Sequence, residues 1–99
     1  MVKEITTAEL QEKIEQGEKL NLIDVREDEE VAAGMIPGAK HIKMGEVPMR
    51  LDELDQDTEY IFICRSGGRS ENVCYFLHDH GYNVVNMVGG MLAWNGKVE

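Results

Sequence analysis

The sequence predicts an α/β fold built on a mainly parallel sheet, and three observations carry that expectation. Short apolar runs of strand character alternate with segments whose apolar residues recur at helical spacing. Glycines stand where the helical segments should stop, at Gly17, Gly34 and Gly81. One run, Glu59-Tyr60-Ile61-Phe62-Ile63-Cys64, passes unbroken into a glycine-bearing turn. Strands alternating with helices imply right-handed βαβ units, and helices then cover both faces of the sheet.

Each element has its own local reason. Thr6 with Glu9 three residues on forms a capping box, and Leu10 and Ile14 share a face, which predicts a helix over residues 7–16. Residues 20–25 read as a buried strand in which Asp24 is the odd residue. Residues 27–33 form an acid-fronted helix, with Ile36-Pro37-Gly38 as the turn behind it. Residues 39–42 are a second short strand, and residues 46–54 a helical stretch that tolerates Pro48 only in its first turn. The strand over 59–64 is followed by a helix over 70–80, where Val73, Phe76, Leu77 and His80 recur at three- and four-residue spacing. A strand at 83–87 and a short helix at 91–94 complete the pattern.

The 99 residues show no repeat, low-complexity tract or linker, so one domain over residues 1–99 is expected. A chain of this size buries roughly 60–70% of its unfolded surface and folds without disulfides. Its two cysteines are too few for a disulfide framework, and the first residues lack the apolar run of a secretory signal, so reduced thiols in the cytoplasm are expected. No apolar run approaches the ~20 residues of a membrane span. Nineteen acidic against ten basic residues give a formal charge of −9, which works against nucleic acid and anionic membranes as partners. The acidic runs at residues 27–30 and 52–59 read as solvated faces.

The segment Cys64-Arg65-Ser66-Gly67-Gly68-Arg69-Ser70 joins the clearest strand to a helix, the position at which open α/β sheets hold their ligands. Gly67 and Gly68 free the backbone to aim successive amides at one point beside Cys64. The helix N-terminus, Arg65 and Arg69 add positive potential. Such surroundings lower a thiol pKa from about 8.5, so Cys64 is expected to be thiolate-rich and nucleophilic. Cys74, on the second turn of the helix, reads as an apolar filler. His41, His78 and His80 have no metal-ligand spacing with the cysteines, so neither a metal nor an organic cofactor is expected.

These residues resemble the active-site loop of rhodanese domains, and the resemblance spans nearly the whole chain. Leu22-Ile23-Asp24-Val25-Arg26-Glu27 is similar to the family's first signature strand, Ile36-Pro37-Gly38-Ala39 to its second landmark, and Gly89-Gly90-Met91-Leu92-Ala93-Trp94 to its closing element. The resemblance implies a three-layer sandwich with about five strands, and a sulfurtransferase that moves a sulfane sulfur through a Cys64 persulfide by double displacement. It implies a small donor, thiosulfate or a persulfide, a thiol- or cyanide-type acceptor, and room for a sulfur-donating or sulfur-accepting protein, with the chain a monomer. Arg65 would meet an anionic donor, Arg69 would orient the loop, and the amides of residues 66–70 would hold the terminal sulfur. Asp24 would bond a loop amide or pair with Arg26. Met35 and Lys43 stand where the family commonly has histidine and proline, which leaves the packing around that turn open.

Three other readings stand beside this one. Cysteine-dependent phosphatases and arsenate reductases place five residues between Cys and Arg; here there are four, which makes a smaller ring of amides. A sulfur carrier without turnover of small donors shares every residue of the loop. A thioredoxin-like role lacks the Cys-x-x-Cys pair.

Overall fold

A computed structural model describes residues 2–99. The elements are β1 (Lys3–Thr6), α1 (Thr7–Glu15), β2 (Leu22–Asp24), α2 (Asp28–Ala32), β3 (Lys40–His41), β4 (Glu59–Ile63), α3 (Gly68–Asp79) and β5 (Asn83–Val88). Short 3-10 helices occupy Met44–Met49, Leu51–Glu53 and Met91–Ala93. The strand order is β1-β5-β4-β2-β3 and every pairing is parallel. From β2 the chain moves outward to β3, and from β4 it moves the opposite way to β5, so the order reverses between β2 and β4. A crevice opens at the carboxyl ends of strands at such a point. Cys64 and Arg26 lie just beyond those two ends.

Strict alternation of side chains builds two cores, one on each face of the sheet. Ile61 and Ile63 of β4 join Leu10 of α1, Leu22, Ile36, Val85 and Met87 on one side. Phe62 and Cys64 join Ile23, Val25, Val84 and the α3 residues Val73, Cys74 and Leu77 on the other. Leu10, Phe62 and Leu77 are fully buried, each contributing about 1.5–3 kcal/mol of burial. α1 starts with the capping box: Thr6 Oγ1 accepts from Glu9 N–H at 3.0 Å and Glu9 Oε1 accepts from Thr6 N–H at 2.9 Å.

Several elements differ from expectation: the strand at 20–25 is only Leu22–Asp24, and the helix at 27–33 is Asp28–Ala32. β1 was not foreseen; only Ile5 of its four residues is buried, and its stability comes from pairing with β5, far away in sequence. The helix foreseen at 46–54 is a pair of 3-10 segments, because Pro48 stands inside the first of them and lacks the N–H that an α-helix needs. The strand at 39–42 is only Lys40–His41. α3 begins at Gly68, not residue 70, with Gly67 as its N-cap. Among the described residues no helix is long and apolar enough to cross a membrane.

Candidate active site

Cys64 directly follows β4 and its side chain is fully buried on the α3 face, so the sulfur belongs to the core and not to an exposed loop. Its Sγ accepts the Gly67 N–H at 3.0 Å and lies 3.3 Å from the Ser70 hydroxyl. Burial alone would raise the thiol pKa. The Ser70 hydroxyl and the backbone amides of Ser70, Gly67 and Ser66 together outweigh it and hold Cys64 below the ordinary thiol value. The result is a niche for one charged atom. A surface cavity of about 530 Å³ lies elsewhere, between α1 and the C-terminal segment around Trp94, and no residue of the 64–70 loop lines it.

Gly67 shapes this niche. It has φ +100°, and a Cβ there would stand 3.2 Å from Gly89 N and 3.4 Å from Met87 O. Gly68, expected to share that duty, has ordinary helical geometry and open space around it, with nothing nearer than Ser66 Oγ at 4.0 Å. Asn86, a buried polar residue within apolar β5, donates from Nδ2 to Gly67 O at 3.2 Å, and its Oδ1 faces the Ser70 hydroxyl. Behind the loop, Met91 N–H donates to Cys64 O and Leu92 N–H to Arg65 O, each at 2.9 Å. Gly90 lets these two segments meet: any Cβ on it would run into the carbonyl oxygens of Cys64 and Arg65.

The two loop arginines behave differently. Arg65 is exposed and forms no ion pair among the described residues. Arg69 is engaged by Glu30 of α2 through two bonds, Nη1 to Oε1 at 2.7 Å and Nη2 to Oε2 at 2.8 Å. Across the crevice, the fully buried Asp24 carboxylate accepts from Arg26 Nε at 3.0 Å and Nη2 at 2.9 Å, and from the Arg26 backbone N–H at 3.1 Å. Arg26 also donates to Gly34 O at 2.8 Å. Of the two duties expected of Asp24, the pairing with Arg26 is the one present.

The family model for the rhodanese-like domain matches residues 6–97. This chain belongs to the rhodanese-like family. Over 98 residues it is 60% identical to YtwF of Bacillus subtilis, named as a candidate sulfurtransferase, covering 99% of this chain and 95% of the relative. It is 41% identical to YrkF, named as a candidate sulfur carrier protein of the same organism, but it spans only 54% of that protein's length and 99% of its own. A crystal structure of a rhodanese-like domain protein from Staphylococcus aureus superposes with a TM-score of 0.93 at 39% identity, covering 99% of this chain and 97% of that one.

In this rhodanese-like chain, the residues singled out in sequence divide into two groups. Cys64, Ser66, Gly67 and Ser70 converge on the sulfur. Arg69 acts on the sulfur electrostatically and is paired with Glu30, while Asp24 and Arg26 form a separate buried ion pair at the end of β2. Asn86 and Glu30 escaped the sequence reading as site residues, and Gly90 entered it only within the closing element. Asn86 carried a signal, a lone amide in Val84-Val85-Asn86-Met87-Val88, of the same kind that drew attention to Asp24 in β2. Glu30 carried none that distinguished it from its acidic neighbours. Met35 and Lys43, the departures from the family pattern, are accommodated locally. Met35 exchanges backbone bonds with Glu99 at 3.0 and 2.8 Å, and Lys43 pairs with Asp28 at 3.1 Å. Cys74 is fully buried, and burial, then the charges of Glu71 and Cys64, push its thiol up to about 12.

Proposed function

We propose that this protein is a cytoplasmic, single-domain sulfurtransferase in which Cys64 takes a sulfane sulfur from thiosulfate or a persulfide and passes it to a thiol- or cyanide-type acceptor. The supporting observation is the niche around Cys64 Sγ, with the Gly67 amide at 3.0 Å and the Ser70 hydroxyl at 3.3 Å. In the first step the Cys64 thiolate attacks the outer sulfur of the donor. The new Sγ–S bond forms as the donor's S–S bond breaks, and with thiosulfate the electron pair leaves on sulfite. In the second step the acceptor attacks the terminal sulfur and Sγ departs as thiolate, which regenerates the site. Donors that already converge on a sulfur anion serve it at each stage without reorganising. The exposed Arg65 guanidinium, next to the nucleophile, is placed to meet an anionic donor. Family membership and the 60% identity to a candidate sulfurtransferase support the same chemistry.

A carrier role, in which a partner protein loads and unloads Cys64 with no turnover of small donors, is the second reading; the relative named for sulfur carriage favours it. Intact-protein mass spectrometry after thiosulfate, and separately after a persulfide-generating desulfurase, tests both. Gain of one sulfur atom on Cys64 from thiosulfate, with turnover to cyanide, is the expected result. Loading from the desulfurase alone would make the protein a carrier, and loading from neither would overturn the persulfide reading.

A further inference from the structure

The acid run of residues 27–30 reads in sequence as a solvated face, yet one of its members reaches the active-site loop. Glu30 grips Arg69 with both carboxylate oxygens, at 2.7 and 2.8 Å, and the pair is only partly exposed, at 32% for Arg69 and 24% for Glu30. A second acid of α2's N-terminal end, Glu27, also acts on Arg69 electrostatically, as does Cys64 itself. Arg69 is therefore close enough to the sulfur to matter, but its charge is already answered. On the loop, only Arg65 carries a cation outside any ion pair among the described residues.

We propose that Glu30 is a specificity-determining residue which, by neutralising Arg69, biases the site away from dianionic sulfur donors and towards donors of low charge. The proposal rests on the persulfide role of Cys64. A fork-to-fork pair fixes the guanidinium plane, so both of its outward N–H groups point at Glu30 and not at an incoming donor. Thiosulfate brings two negative charges to a mouth where Arg69 and Glu30 cancel, Glu27 adds an acid, and Arg65 alone is left to answer them. A hydropersulfide or a thiosulfonate brings one charge at most and pays less for the approach. Glu30 acts through Arg69, so it is a positioning residue and not a catalytic one.

Thiosulfate and methanethiosulfonate make a matched pair of probes. Both offer an outer sulfur to the Cys64 thiolate; the first releases sulfite and the second methanesulfinate, each leaving with the electron pair of the broken S–S bond. They differ by one negative charge. Their kcat and KM, with cyanide as acceptor, should be measured in the wild type, in Glu30→Gln, and in the double variant Glu30→Gln/Arg69→Gln. Unmasking one cation near a dianion should lower KM for thiosulfate on the order of fivefold, and for the monoanion about twofold, with kcat little changed and with a steeper loss of rate as salt is raised. The double variant loses one charge of each sign, and its ratio between the two donors should return towards that of the wild type. Equal effects on both donors, or a lower thiosulfate rate in Glu30→Gln that the double variant does not reverse, would make Glu30 a purely structural anchor. If the wild type loads sulfur from neither small donor, it is the reading of a transferase that turns over small donors that fails, and the two failures are thus told apart.

Discussion

Asn86, on the strand that follows α3, donates its side-chain amide to the carbonyl oxygen of Gly67, at the turn that precedes α3, at 3.2 Å. One side chain thereby fixes the peptide whose neighbouring N–H points at the Cys64 sulfur. Asn86→Leu, which keeps volume and removes the amide, leaves the Gly67 carbonyl with the Ser70 hydroxyl and the Glu71 N–H as its remaining donors. It should lower stability by about 0.5–1.5 kcal/mol in urea unfolding and slow alkylation of Cys64 by iodoacetamide. An unchanged alkylation rate would mean that the turn holds its shape without Asn86.

Cys64→Ala should abolish sulfur loading with the fold retained. Cys74→Ala should load sulfur normally while losing about 1–2 kcal/mol to the small cavity it leaves. Circular dichroism and intact mass of the two variants decide it; persistent loading without Cys64 would show that the nucleophile had been misassigned.

Gly90 and Gly68 should separate sharply on substitution. Gly90→Ala drives a methyl group into the carbonyls of Cys64 and Arg65 at a backbone with φ +58°, and should cost more than about 2 kcal/mol. Gly68→Ala, at the first turn of α3 with open space around it, should be neutral or slightly stabilising. Thermal melts of both variants give the comparison, and equal melting temperatures would contradict it.

The rate of Cys64 alkylation against pH should show a midpoint below that of a free thiol, since hydrogen bonds to the sulfur outweigh its burial. Ser70→Ala removes one of those donors, which disfavours the thiolate, so the midpoint should rise. Cys74, held up at about 12, stays silent through the range and does not confuse the measurement. A midpoint that fails to move in Ser70→Ala would leave the backbone amides as the whole of the effect.

Acid should weaken the fold partly through Glu30. Its carboxyl is lowered from 4.5 to about 2, first by Arg69 and then by the Glu27 backbone N–H. A group whose folded pKa lies below its unfolded one contributes fully above the unfolded value and loses that contribution as pH falls through the folded value. The stability difference between wild type and Glu30→Gln should therefore be constant above about pH 4.5 and shrink between there and pH 2. Urea midpoints measured over that window test it, and a difference that grows on acidification would reverse the sign.

Sequence legibility followed distance along the chain. The loop from Cys64 to Ser70 could be read because its glycines, serines and arginines are neighbours in sequence, and α1 because Thr6 and Glu9 are three apart. β1 could not, because one buried residue in four gives no periodic pattern and its partner, Lys3 opposite Val85, is 82 residues away. Glu30 and Arg69 are separated by 39 residues, and a carboxylate in an acidic run looks the same whether it faces water or a guanidinium. Pro48 announced a broken helix, but how the chain would continue past it depended on packing against α3.

The backing that Met91 and Leu92 give to the carbonyls of Cys64 and Arg65 sets an order of events during synthesis. A growing polypeptide exposes its cysteine some twenty to thirty residues before Asn86, Gly90 and Met91 have been added, and in that interval nothing closes the turn around the sulfur. The turn around the thiol is complete only once β5 and the segment after it have been made and joined to β4. Reactivity in this protein is thus a property of the finished globule, and a prematurely terminated chain would carry the cysteine as an ordinary, unactivated side chain.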